Sequence, residues 1–326
     1  MTKLLQPHTR LKDRYVVAGP IGQGGMGAVY RAEDTLLTGR VCAIKEIAPD
    51  PSLDDETLRQ IQEQFRREAS VLARLDHPNL PKVSDYFTQG GREYLVMDYV
   101  PGHSLREIVE QARVKDRFLE ESLVLDWAQQ LCSALIYLHS QDPPILHRDI
   151  KPSNIKLTPS GLIKLVDFGL VKLLTNDESR TITVVQGQGT AAYTPLEQYG
   201  GDDVRTDIRT DVYALAATLY HLLTGRPPAT ARERFLRPAS LVSPRKINPH
   251  ISPHVEETIL LGLSLHPDDR PPDVTAFAAM LERAALPTGL APLVFTENEW
   301  QATWARNAPL LLTLAVLLVV AWLMTP

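Results

Sequence analysis

Between residues 147 and 169 the chain reads His147, Arg148, Asp149, Ile150, Lys151, Pro152, Ser153, Asn154 and, a short interval later, Asp167, Phe168, Gly169. This stretch gathers a carboxylate base, a cation and two oxygen donors for a metal, the set that phosphoryl transfer from a nucleotide requires. Asp149 is suited to orient an acceptor hydroxyl and take its proton, and Lys151 to balance charge on the transferring group. Asn154 and Asp167 offer oxygen ligands to Mg2+, a hard cation whose shell the nucleotide phosphates would complete. A lone Asp or Asn in a loop is more often a turn or helix cap. The complete set at these offsets carries the chemistry.

Such chemistry needs a phosphate cradle upstream. Gly22, Gln23, Gly24, Gly25, Met26 and Gly27, with Val29 two residues on, let backbone N–H groups approach phosphate oxygens without a Cβ in the way. The same spacing opens dinucleotide-binding folds, but those start a helix at the loop, whereas here β-type runs flank the glycines on both sides. In Val41 to Lys45 a lysine sits inside a mostly apolar strand, and alternation puts Val41, Ala43, Lys45 and Ile47 on one face. A lysine on such a face commonly snorkels to water. Here it has a candidate partner. After Pro51, Leu58, Ile61, Phe65, Glu68, Leu72 and Leu75 form one helical face on which only Glu68 is charged. Burying a lone carboxylate costs several kcal/mol, so a cation is expected opposite it, and Lys45 is the natural one.

Together these motifs resemble the eukaryotic-like (Hanks-type) Ser/Thr protein kinases, and the wording from Gly189 to Tyr199 looks most like the bacterial branch. The resemblance implies an ATP- and Mg2+-dependent enzyme acting on Ser or Thr of protein substrates. It implies that Lys45, paired with Glu68, holds the α and β phosphates, and that Val29 and Ala43 cover the adenine. Met97 would stand at the back of the pocket, with Asp98 to Val100 as the hinge. Lys156 departs from the pattern, standing where an aliphatic floor residue is usual. Arg148 implies regulation by a phosphorylated residue in the segment Asp167 to Glu197, which holds Thr175, Ser179, Thr181, Thr183 and Thr190. Thr181 or Thr183 is the expected autophosphorylation site, and Thr190 the residue lying against the catalytic loop. Glu197 and Arg270 match the family's buried ion pair, and Asp211 the residue that steadies the loop. Leu196 departs from the usual Ala-Pro-Glu proline. The alternative is a pseudokinase scaffold, which usually lacks one of Lys45, Glu68, Asp149, Asn154 or Asp167; all five are present.

The elements that must position these residues follow from periodicity. Short β-type runs at Tyr15 to Ala18, Ala28 to Glu33, Val41 to Ile47 and Glu93 to Asp98 precede helical stretches at Leu123 to Leu138, Asp211 to Leu223, Val255 to Leu265 and Asp273 to Leu286. The fold expected is α+β and two-lobed: a kinase domain over 15–286, with a small β-rich lobe at 15–98 holding one helix and a larger helical lobe at 101–286. Residues 287–307, with Pro287, Gly289 and Pro292, read as a linker.

With 326 residues and a net charge of −5, signs interspersed, there is ample core and no basic footprint for nucleic acid. Cys42 and Cys132 each lie in apolar runs, as thiols in a reducing compartment do. No signal sequence opens the chain. Residues 308–324, APLLLTLAVLLVVAWLM, are seventeen without a charge and would span about 25 Å as a helix, the short limit for a bilayer. Trp304 and Trp322 sit near its ends and Arg306 just before it, which predicts a single-pass tail anchor in the cell membrane with the kinase domain cytoplasmic. A packed helix is the alternative, though a polar face is missing. Anchoring would favour self-association and phosphorylation between molecules.

Overall fold

The computed structural model describes residues 4–24, 27–47, 54–167, 190–199 and 206–282. The linker, the apolar segment 308–324, Phe168, Gly169 and the hydroxyl residues at 175, 179, 181 and 183 lie outside the described residues. Among the described residues, no helix is long and apolar enough to cross a membrane.

The first lobe is an antiparallel sheet in the order β1-β2-β3-β4-β6-β5. Its strands are β1 (Arg10–Leu11), β2 (Tyr15–Gly24), β3 (Gly27–Asp34), β4 (Val41–Ile47), β5 (Val83–Gln89) and β6 (Arg92–Asp98). Helix α1 (Asp55–Leu72) packs on β5 and β6. Leu72 ends it, so Leu75, expected on its apolar face, is buried beyond the helix instead.

Alternation along β4 divides between two cores. Ala43 and Ile47 join α1's Phe65, Ala69 and Leu72 on the inner face. Cys42 and Ile44 pack outward with Leu11, Tyr15, Tyr30, Phe87 and Tyr94. That outer face is covered by the chain's own start, with Leu4 and Leu5 against it and the Leu5 amide donating to Tyr30 Oη at 3.1 Å. Residues ahead of 15 thus pack on this lobe as well. Beneath that cover lies Glu46, only 2% exposed, which accepts from Arg92, Tyr30 (2.7 Å) and Tyr94 (3.3 Å). A buried carboxylate persists there because its lone pairs are used. Both cysteines are free and buried, and desolvation pushes the Cys42 thiol up to about 11 and Cys132 to about 12.

The second lobe is helical: α2 (Leu105–Val114), α3 (Glu121–His139), α4 (Ile208–Thr224), α5 (Ala231–Leu236), α6 (Pro244–Ile247), α7 (Pro253–Gly262) and α8 (Val274–Glu282). Ser104 and Glu107 form a capping box that starts α2, and Asp207 caps α4. Nearly every residue of α4 from Thr210 to Thr224 is buried, so it is the lobe's central post, packed by α3, α7 and α8. A small sheet of β7 (His103–Ser104), β8 (Ile155–Leu157) and β9 (Ile163–Leu165), absent from the sequence reading, carries the catalytic loop's exit.

Candidate active site

Strand register builds the upper wall. Val29 pairs with Lys45, Lys45 with Leu95, and Ala43 with Met97, so these residues share the inner face of the sheet. Val29 is half-buried, while Ala43 and Met97 are buried at 7% exposure each. A Cβ on Gly27 would stand 1.8 Å from the Glu46 carbonyl oxygen, so that glycine is required by the close passage of β4. Gly22 is different. A Cβ there would meet nothing nearer than Val29 at 3.8 Å, so the fold does not demand glycine, and the space suits an approaching phosphate. Gly24 ends β2 and pairs with Gly27.

Asp98, Tyr99 and Val100 link the lobes. Lys156 reaches back from β8 and donates to the Val100 carbonyl at 2.9 Å, and its ammonium and the Arg31 guanidinium each lie 5.7 Å from the Tyr99 ring centroid. Burial lowers the Lys156 pKa, opposed by the charge of Glu107. The departure from an aliphatic floor residue is thus satisfied at the hinge, with the methylene stem left to line the pocket.

The segment between α1 and β5 clamps the lobes on the other side. Asn79 donates to the Ile163 carbonyl (2.8 Å) and Gln130 Oε1 (3.1 Å), and its own carbonyl accepts from the Leu165 amide (2.8 Å). Nothing in the sequence pattern singled out this residue, because its partners lie 51 and 84 positions away.

The catalytic loop hangs from Asp211, which is fully buried on α4. Its carboxylate accepts from the amides of His147 and Arg148, both at 2.8 Å, and from His139 Nε2 at 3.0 Å. Burial alone would raise its pKa, but His139 and His147 hold it below the usual value. Arg148 (φ 61°) and Asp167 (φ 64°) both sit in the left-handed region, a conformation costing a non-glycine residue of order 1 kcal/mol that the surrounding bonds enforce. His139 was not found from sequence.

At the centre, Lys151 Nζ lies 2.8 Å from Asp149 Oδ2 and 3.1 Å from Thr190 Oγ1. Asn154, 6% exposed and set by the 3₁₀ turn Pro152–Asn154, donates through Nδ2 to Asp149 Oδ2 at 2.8 Å and to the Asp149 carbonyl at 3.0 Å. Its amide nitrogen is thereby committed, while its carbonyl oxygen accepts a 3.3 Å bond from Ser153 Oγ and keeps a second lone pair that can serve a cation. Asp167 Oδ1 is ion-paired with Lys45. Two oxygen donors of this kind fit Mg2+, which takes few protein ligands and relies on phosphates and water for the rest.

Glu68 is buried at 7% exposure on α1. Arg148, whose pKa burial lowers against the charges of Asp211 and Glu68, donates to Thr206 Oγ1 at 3.0 Å. Arg270 grips both oxygens of Glu197, at 2.6 and 3.0 Å, and also donates to the Ser264, Leu265 and Arg209 carbonyls. The chain from Thr190 to Tyr199 is thus fastened at one end to Lys151 and at the other to α4 and the turn before α8.

Residues 15–271 match the protein kinase domain family. The chain belongs to that family. The kinase domain is 36% identical over 275 residues to a protein of Streptomyces coelicolor named a probable serine/threonine-protein kinase, a match covering 80% of this chain and 38% of that protein. It is 36% identical over 229 residues to serine/threonine-protein kinase B of Synechocystis, covering 67% of this chain and 38% of that one. The chain therefore spans about two fifths of the length of these curated relatives. Among solved structures, the Mycobacterium tuberculosis PknI kinase domain superposes with a TM-score of 0.66 at 29% identity, covering 87% of this chain and all of that one. These likenesses group the kinase domain with bacterial serine/threonine kinases, as its motifs suggested.

Proposed function

We propose that this chain transfers the γ-phosphoryl group of ATP to Ser or Thr hydroxyls of proteins, anchored at a membrane by residues 308–324. The observation that carries the activity is Lys151, shared between Asp149 and Thr190, which sets a carboxylate and an ammonium side by side where an acceptor hydroxyl and a phosphoryl group must meet. Asp149 orients the hydroxyl and accepts its proton, while Lys151 steadies charge on the moving group. Lys45, backed by Glu68, holds the nucleotide phosphates, which enter beneath Gly22, Gly24 and Gly27. The adenine lies between Val29 and Ala43 above and the Lys156 stem below, against Met97, with the Asp98 and Val100 backbone at its edge. Asn154 and Asp167 would hold Mg2+, which when bound neutralises phosphate charge. Incubating the protein with labelled ATP and Mg2+ tests this: Asp149→Asn should cut transfer by about 10²–10⁴-fold. Equal labelling of wild type and variant would remove Asp149 from its role.

Regulation and place follow from the same reading. Autophosphorylation at Thr181 or Thr183 would supply the phosphate that the resemblance expects Arg148 to meet, and a guanidinium can pair with phosphate through two bonds. Mass spectrometry of active, ATP-treated protein should find the phosphate there; an unmodified 175–190 segment rejects it. The apolar tail places the kinase domain on the cytoplasmic face of the cell membrane, where confinement favours phosphorylation between molecules. Deleting residues 308–324 should move the protein from the membrane fraction to the soluble one, and membrane retention would refute the anchor. Autophosphorylation per molecule should rise with surface density in vesicles; no dependence argues against transfer between copies.

A further inference from the structure

Below the catalytic loop the described residues enclose a cavity of about 710 Å3, bounded by α2, the Pro152–Asn154 turn, Tyr193, the end of α4 and α6. Lys151 lines it, so it opens directly beside Asp149. Its other cationic walls are Arg106, Arg113, Arg117, Arg226 and Lys246, against the carboxylates of Glu110 and Asp116. Glu110 is spent on Arg113, which grips it at 2.7 and 3.0 Å. Among the described residues, Arg106, Arg117, Arg226 and Lys246 make no ion pair. His221 adds no charge near neutral pH: burial and Arg106 push its pKa down to about 4, and its Nδ1 lies 2.6 Å from Tyr193 Oη.

A chain of net charge −5 thus concentrates positive side chains around one concavity next to its reacting centre. Gathering like charges destabilises a fold unless something of opposite sign is received there. We propose that this cavity selects protein substrates carrying an anionic side chain, carboxylate or phosphate, within a few residues of the acceptor Ser or Thr. The proposal rests on the kinase reading above. An extended peptide advances about 3.3 Å per residue, so a side chain entering a cavity that begins at Lys151 belongs to a near neighbour of the residue presented to Asp149. Arginine forks suit either anion, since both accept paired hydrogen bonds. Neighbouring Val109 and Thr224, both buried, give the cavity a fixed floor.

The test uses the full chain in detergent and one Thr-containing peptide flanked by Ala, Glu, Lys or phosphoserine. Transfer gives kcat/KM, and fluorescence anisotropy on Asp149→Asn protein reads binding without turnover. Glu or phosphoserine flanks should raise kcat/KM by about tenfold over Ala, with Lys the poorest, as several partly exposed charge pairs together provide. Arg226→Glu with Lys246→Glu should erase that ratio while leaving the Ala peptide within about twofold. If the double variant unfolds, Arg226→Ala and Lys246→Ala, both at exposed positions, should each lower the ratio. A phosphoserine preference without a Glu preference identifies substrates already phosphorylated; equal gains identify general anion selection. Indifference to flank charge, or a ratio unmoved by the variants, overturns the proposal. Anion-selective binding with no transfer to any peptide would instead overturn the kinase reading and leave the cavity's preference standing.

Discussion

Asp149, Lys151 and Asn154 are close in sequence, and a 3₁₀ turn is enough to fold the amide of one onto the carboxylate of another. Their mutual geometry is therefore largely local, so their spacing in the chain already brings them near one another. His221 is the opposite case. Nothing about its place in an apolar helix marks it, and only burial in the packed lobe, with the charge of Arg106 nearby, keeps its imidazole neutral. Its folded pKa of about 4 lies below the 6.5 of a free imidazole, so between those values the unfolded chain binds a proton that the folded chain refuses. Stability from this residue is full above about pH 6.5 and declines as pH falls toward 4. The melting temperature should drop on going from pH 7.5 to 5.0, and the drop should be smaller by roughly 3–6 °C in His221→Gln. An identical drop in the variant would rule His221 out as the source.

Among the elements, the segment from Thr190 to Tyr199 is anchored at its far end by a buried ion pair. Glu197 and Arg270 are 73 positions apart, both buried, with the remaining guanidinium hydrogens given to backbone carbonyls. Glu197→Ala leaves that cation without its carboxylate in a dry site, and should destabilise the second lobe by about 3–5 kcal/mol in urea unfolding. A loss below about 1 kcal/mol would mean that the carbonyls suffice. Leu196, standing where proline is usual, packs on the main core instead, so the anchor does not rely on a rigid backbone there. The strand β4 shows how far element-level reading reaches. Alternation correctly joined Ala43, Lys45 and Ile47 on one face, but it left the outer face without a partner.

At the scale of the whole molecule that partner is the chain's own start. Leu11 is 1% exposed, Leu4 and Leu5 pack beside it, and Lys12 is salt-bridged to Asp85 at 2.8 Å. Removing residues 1–12 uncovers Tyr30 and the Glu46 carboxylate with its bonds to Arg92 and Tyr94. The melting temperature should fall by roughly 5–10 °C, from lost apolar burial of about 1.5–3 kcal/mol per large side chain. An unchanged value would show the segment to be dispensable. The two lobes are joined by contacts of equally long range, from Lys156 to the hinge and from Asn79 to β9.

By itself the sequence determined the kinase family, because Asp149, Lys151, Asn154 and Asp167 are spaced along one short stretch of chain, and it determined the order of a β-rich lobe before a helical one, because periods of two and of about three and a half are local properties. The resemblance also marks Asp211 and the Glu197–Arg270 pair, both of which the fold forms, but tertiary structure alone decided the rest of what holds those groups still: His139 under the loop, Asn79 across the lobes, and the cationic cavity gathered from α2, α4 and α6. Those partners are separated by tens of residues, and no periodicity encodes which distant side chain a buried carboxylate will meet. Packing alone brings them together.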